Sequence, residues 1–235
     1  MLLALAILLA FLSGSVPFGL LIARSRGIDI RKHGSGNIGA TNVGRVLGRG
    51  PGIACFVLDV AKGFAPTLAI GVWRADAGRF DVDPAESWVW LGAMLAPVLG
   101  HTFCPWVGFK GGKGVATSLG SLLGVFPVLT IAGAGALAIW LVALWIWRYV
   151  SLGSMLAAAS LPLWVLAAFA VAASRSALPP DRSWLGAATP YLAVATLLGA
   201  LVIVRHRANF SRLVKGTEPR VTWLGGSRAA PRSNP

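Results

Sequence analysis

Six apolar stretches, five about as long as a bilayer is thick and one longer, divide this chain and decide what it can fold into. From Met1 to Ala23 there is no charged residue, and comparable runs cover 51–73, 87–103, 119–147, 152–173 and 187–204. About 20 consecutive apolar residues cross roughly 30 Å of hydrocarbon, where a spanning segment must satisfy its own backbone polar groups and so is helical. The expected fold is an all-α integral membrane protein, a bundle of about seven transmembrane helices with some short or broken. A composition 56% hydrophobic and only 12% charged excludes an ordinary soluble domain. Residues 1–222 read as one transmembrane domain. Residues 223–235 lack periodicity and have a loop-like composition, so a disordered tail is expected there.

The net charge of +13 does not point to nucleic acid, because the basic residues gather in a few segments between apolar runs. That is the pattern of membrane topology. The first run has no basic residue ahead of it and carries Arg24, Arg26, Arg31, Lys32, Arg45 and Arg49 behind it. This is the reverse of a cleaved signal peptide, and it predicts a permanent span with the N-terminus outside. The loop 74–87 holds Asp76, Asp81, Asp83 and Glu86 and fits the outer side. The C-terminal segment holds Arg205, Arg207, Arg212, Lys215, Arg220, Arg228 and Arg232 and belongs inside, which requires an odd number of crossings. Residues 119–147 would extend roughly 43 Å as one helix, too long for an upright span, and Pro127 with Gly133 and Gly135 offers a break. Splitting this run into a short pair gives seven helices. Cys55 and Cys104 form no metal-ligand pattern and read as packing residues.

That topology gathers three unusual segments, 34–45, 100–117 and 205–218, on the cytoplasmic side. The first, "GSGNIGATNVGR", offers backbone N–H groups at Gly34, Gly36 and Gly39, the hydroxyls of Ser35 and Thr41, the amides of Asn37 and Asn42, and Arg45. A glycine-rich turn of this kind can cradle a phosphate, although taken alone it reads more readily as an interfacial turn. The second, "GHTFCPWVGFKGGKGVATS", places Lys110, Gly112 and Lys113 in a glycine turn ahead of a helix beginning near Val115, whose N-terminus would favour an anion. It lacks the spacing of a nucleotide P-loop. His101 lines or caps a packed helix, or belongs to the site. The third, "RHRANFSRLVKGTEPR", adds His206, Asn209, Arg212 and Glu218. Asp59 and Lys62 lie inside an apolar run near helical spacing and are expected to neutralise each other.

Taken together, "SGNIGATNVGR", "GH(x)F…GFKGGKGVAT" and "HRANFSRLVKGTE", in this order, resemble the three motifs of the PlsY family of bacterial membrane glycerol-3-phosphate acyltransferases. "LDVAKG" and "RYVSLGS" at 148–154 are similar to lesser signatures of that family. The resemblance implies transfer of a fatty acyl group from acyl phosphate to the sn-1 hydroxyl of glycerol 3-phosphate, giving lysophosphatidate and phosphate. It also implies seven membrane helices in the bacterial cytoplasmic (inner) membrane. By motif position Ser35, Arg45, Lys113, His206, Asn209 and Glu218 would be catalytic. Gly36, Asn37, Gly39, Thr41, His101, Lys110, Gly112 and Ser151 would bind phosphate. One departure stands out: where family members commonly carry a proline three residues after the motif histidine, this chain has Cys104, and Pro105 follows.

The residues agree with that chemistry. Two phosphate-bearing substrates brought together need several cations and N–H donors. Positions 38, 106 and 211, five residues after each histidine, are Ile, Trp and Ser, so the HxxxxD pair of the other large class of glycerophosphate acyltransferases is missing. An acyl phosphate is already activated, so positioning and charge stabilisation could carry much of the rate, with the donor phosphate or His206 accepting the proton. No metal and no cofactor is called for. The expected partners are the two small substrates and the lipid bilayer, with the protein acting as a monomer. The alternative is a small organic-phosphate transporter or channel, which would show internal repeats and charges near the midplane.

Overall fold

The structure, a computed structural model, describes residues 1–178 and 183–221. The tail expected at 223–235 lies outside the described residues. Among the described residues ten α-helices follow in order: α1 (Leu2–Ser15), α2 (Phe18–Arg24), α3 (Ala40–Leu47), α4 (Arg49–Trp73), α5 (Pro84–Thr102), α6 (Val115–Gly124), α7 (Val128–Trp147), α8 (Val150–Ser174), α9 (Trp184–Arg205) and α10 (Arg207–Val214). Among the described residues six segments are long and apolar enough to cross a membrane, the first being α1 and α2 read as one (Leu2–Arg24).

The break between α1 and α2 falls at Pro17, which lacks the N–H that would continue the helix. The carbonyls it frees are taken up by neighbours: Lys62 Nζ donates to Val16 O at 2.7 Å and the Cys104 thiol to Ser15 O at 3.0 Å. Trp106 Nε1 adds a bond to Ser15 Oγ at 2.8 Å. Cys104 thus closes the first span, and the departure from proline at that position is absorbed by packing. Both cysteines are free and buried, as packing residues should be.

The long run at 119–147 breaks at Pro127, as its length demands, but the split is unequal. The first piece is α6, ten residues beginning before the run itself, and the second is α7, a full span of 20 residues. The reason is where α6 begins. It runs alongside α4 in the same direction at very close range: a Cβ on Gly120 would fall 1.9 Å from Val60 O, and one on Gly63 2.3 Å from Thr117 O. Gly63 already lies well into α4, so a helix of roughly 15 Å completes the remaining distance. At its far end Phe126 O accepts a bond from Gly78 N in the α4–α5 connection. The chain between α5 and α6 therefore folds inward before α6 starts. Long helices surround a core of Trp90, Leu91, Met94, Leu129, Val165, Phe169, Tyr191 and Leu198.

Candidate active site

The segment ahead of α3 is organised by one buried side chain. Asn42 shares Nδ2 among the carbonyls of Asn37 (2.9 Å), His33 (3.0 Å) and Ile30 (3.4 Å), and its Oδ1 accepts from Ser35 N at 2.8 Å. Gly36 N is bonded to His33 O at 3.0 Å and Gly39 N to the Asn37 side chain at 2.9 Å. The expectation of open backbone donors at Gly36 and Gly39 is therefore corrected. A loop without regular structure must satisfy its own amides, and Asn37 and Asn42 do that work. What faces the cavity is Ser35, Asn37, Gly39, Thr41, Arg45 and the first turn of α3. The leading N–H groups of a helix have no intrahelical partner, so the anion-favouring role passes from the loop to this helix start.

Opposite α3 the C-terminal segment lies across the α7–α8 turn, held by a bond from Val221 N to Arg148 O (2.8 Å) and by Arg220 Nε on the Tyr149 hydroxyl (3.0 Å). This brings Glu218 to the start of α8. Glu218 accepts from Ser151 Oγ at 2.7 Å, Asn209 Nδ2 at 2.6 Å and Arg212 Nε at 2.8 Å. With its amide nitrogen committed to Glu218, Asn209 presents Oδ1 to the ammonium of Lys113. Burial raises the Glu218 pKa, but these three bonds outweigh it and hold the carboxyl below its usual range. Burial lowers Lys113 to about 8, and repulsion from Arg212, Arg45 and Arg205 adds to it against the attraction of Glu218. His206 is pushed down to about 4 by burial and by Lys113. Its Nδ1 lies 2.8 Å from Val202 O. A carbonyl has no proton to give, so Nδ1 is the donor and Nε2 keeps its lone pair.

Behind Lys113 sits a buried pair, Lys62 Nζ and Asp59 Oδ1 at 2.7 Å, the neutralisation expected from their spacing. His101 Nδ1 is 3.8 Å from Asp59. Asp59 is thus compensated by Lys62, and Glu218 by Arg212 at 2.8 Å. Arg45 and Lys113 also line the cavity, and among the described residues neither has a carboxylate at ion-pair distance.

The cavity measures about 180 Å³ and is two-natured. Its polar mouth gathers Ser35, Asn37, Thr41, Arg45, His101, Lys113, His206, Asn209 and Glu218 from all three sequence segments, with Ser151 from the start of α8. Its inner arm, which sequence reasoning missed, is lined by Leu119, Leu122, Ala136, Leu137, Trp140, Ala157, Ala158, Leu161, Leu198 and Val202. No local string marks this arm, because its residues come from four helices and look like any other packing face. Gly36, Lys110 and Gly112 are not brought to the cavity. The Lys110 side chain points to solvent, and Gly112 lies against the His101 ring. Among the described residues no group of three or more His, Cys, Asp or Glu side chains could hold a metal ion.

Comparison with known proteins agrees with this geometry. A family described as glycerol-3-phosphate acyltransferase matches residues 4–216. A glycerol-3-phosphate acyltransferase of Geobacter sulfurreducens is 46% identical over 212 residues, 90% of this chain and 93% of that protein. One from Trichlorobacter lovleyi is 41% identical over 212 residues, with the same shares of 90% and 93%. Among solved structures, PlsY, an integral membrane glycerol 3-phosphate acyltransferase, superposes in its glycerol 3-phosphate form with a TM-score of 0.74 at 38% identity. That match covers 95% of this chain and 98% of PlsY. The lysophosphatidic acid form of PlsY gives a TM-score of 0.72 at 37% identity, covering 95% and 97%.

Proposed function

We infer the activity from the premise that this chain belongs to the glycerol-3-phosphate acyltransferase family: it transfers a fatty acyl group to glycerol 3-phosphate and yields lysophosphatidate. The observation that carries the finer reading is the cavity itself, in which two uncompensated cations stand at the mouth of an apolar arm. A phosphate fits the first and an alkyl chain the second. The transporter alternative finds no support in a cavity whose charges gather at one end.

The donor in this reading is acyl phosphate. Arg45, Lys113, Ser35, Thr41 and the start of α3 hold the two phosphates, and the acyl chain lies in the arm. The sn-1 oxygen attacks the acyl carbon, the bond from that carbon to the phosphate oxygen breaks, and inorganic phosphate leaves. The hydroxyl proton passes to the departing phosphate, which gains basicity as the bond breaks. His206, with a pKa of about 4, holds a proton poorly at neutral pH and serves as an acceptor that orients the hydroxyl through Nε2. Glu218 and Ser151 set the direction of Asn209, and Asn209 sets Lys113. Catalysis is then positioning plus charge stabilisation. The motif segments face the cytoplasm, with the N-terminus outside and the described C-terminal segment inside. The working unit is a monomer, in a bacterial inner membrane.

The deciding experiment supplies purified protein with acyl phosphate and labelled glycerol 3-phosphate and measures lysophosphatidate. Equal turnover with acyl-CoA, in the absence of enzymes that make acyl phosphate, would overturn the donor assignment. For orientation, a cysteine at Asp81 should react with a membrane-impermeant thiol reagent in intact cells and one at Gly216 should not. The reverse pattern would invert the topology.

A further inference from the structure

Arg205 closes α9 immediately before His206, yet it lines no part of the cavity. In sequence it reads as one more cytoplasmic cation. In the structure its guanidinium reaches across to the chain ahead of α6, where Nη2 donates to Gly111 O at 3.2 Å and Gly112 O at 2.9 Å. The same two residues are gripped from the other side by the end of α5. Gly112 N donates to His101 O at 3.1 Å. A Cβ on Gly111 would fall 2.0 Å from His101 O, and one on Gly112 2.0 Å from His101 Nε2. The pair of glycines is thus a strip of bare backbone in a slot between α5 and α9, and the next residue is Lys113.

We propose that Arg205 is a positioning residue for acyl transfer: its guanidinium fixes the Gly111–Gly112 carbonyls and thereby aims Lys113 into the cavity. The proposal rests on the reading of Lys113 as a phosphate-binding cation. It separates Arg205 from the cations that meet substrate, because the group spends its donors on protein carbonyls behind the cavity wall. It also separates Arg205 from a mere topology determinant. Both bonds leave Nη2, whose two N–H directions are fixed in the guanidinium plane at the end of a longer side chain, whereas a lysine ammonium is shorter and rotates freely, so charge alone does not replace it. The two glycines give the strip no side-chain anchor of its own, and without the guanidinium its outer side is held by no other side-chain bond among the described residues.

The test is a double-mutant cycle on the whole protein in detergent or vesicles, reading kcat and KM for glycerol 3-phosphate. Arg205→Gln and Arg205→Lys are made in wild type and in Lys113→Ala. A displacement of about 1 Å at a reacting centre costs on the order of a hundredfold in rate, so Arg205→Gln should lower kcat/KM by about that factor. Arg205→Lys, with charge and orientation preserved, should still lose more than about tenfold. In Lys113→Ala the same Arg205 changes should lose less than about threefold, because the effect travels through a side chain no longer there. Where turnover of Lys113→Ala falls below detection, the cycle is read on glycerol 3-phosphate binding by calorimetry. Equal losses in both backgrounds, or wild-type kinetics in Arg205→Lys, overturn the proposal. Wild-type kinetics in Lys113→Ala itself would instead remove Lys113 from the site, while leaving the acyltransferase activity standing.

Discussion

Lys113 offers the sharpest handle on the chemistry, since its pKa of about 8 places a cation of the proposed phosphate site on the edge of discharge. Burial disfavours the ammonium, and Arg212, Arg45 and Arg205 repel it, so in the empty site it gives up its proton far more readily than an exposed lysine. A phosphate dianion reverses both effects. Binding glycerol 3-phosphate should therefore pull the Lys113 pKa back up, and affinity should fall as pH rises through about 8. With that value the protonated fraction drops from about 0.9 at pH 7 to about 0.1 at pH 9, so KM for glycerol 3-phosphate should rise about tenfold across this interval. The substrate adds nothing there, because a phosphate monoester loses its second proton near pH 6. His206, lowered to about 4, is neutral throughout. At pH 8 calorimetry in buffers of different ionisation enthalpy should register uptake of about half a proton per ligand bound. Lys113→Arg, whose guanidinium does not titrate in this range, should abolish both the KM rise and the uptake. A flat KM from pH 7 to 9, or the same rise in Lys113→Arg, would refute the reasoning.

Two further outcomes are expected. Glu218→Gln removes the charge that three donors share and turns an N–H toward Arg212, so it should destabilise the protein by about 2–3 kcal/mol in thermal unfolding and lower kcat by freeing Asn209 to flip. Because the folded pKa of Glu218 is depressed, its stabilisation is present above the ordinary carboxylate pKa and lost as pH falls through the lower folded value, and Glu218→Gln should lack that acid-side loss. Ala157→Leu intrudes on the apolar arm and should penalise long donors over short ones: displacing two methylenes at about 0.8 kcal/mol each changes the long-to-short ratio of kcat/KM roughly fifteenfold. An unchanged ratio would take the acyl chain out of this arm.

The spans were legible because about 20 apolar residues in a row is a local property of the sequence. The break at Pro127 was legible for the same reason, but not its inequality. The length of α6 depends on how far along α4 it begins, and only the contact of Gly63 with Thr117 fixes that. The site was legible as three strings and the start of α8, and eleven of its fourteen expected members line the cavity. The direction of each donor was not legible. "GSGNIGATN" announces free amides, yet Asn42 takes the Ser35 N–H, His33 O that of Gly36 and the Asn37 side chain that of Gly39. Lys110 and Lys113 look alike in a glycine-rich strip, where no helical period says which faces inward. Arg205 looked like every other cytoplasmic arginine, because the carbonyls it holds lie about ninety residues earlier in the chain.

Pairing is what separates scaffold charges from working ones here. Ionisable groups inside a membrane protein are costly unless matched. Asp59 and Lys62 are matched within one helix at 2.7 Å, and Glu218 with Arg212 at 2.8 Å. Each of these pairs could be assembled without any substrate, and their bonds go to backbone and neighbours that shape the cavity. Among the described residues Arg45 and Lys113 reach only neutral oxygens, Pro219 O for the first and Asn209 Oδ1 for the second. Two cations left unmatched beside each other raise the free energy of the empty site, and burial lowers the pKa of both. An anion is what relieves that repulsion, and the more negative charge the reacting group gathers, the greater the relief. In the proposed reading these two cations are thus poised for phosphate by the very feature that makes them unfavourable alone, and a cavity without a strong general base would use that relief to accelerate transfer from acyl phosphate to glycerol 3-phosphate.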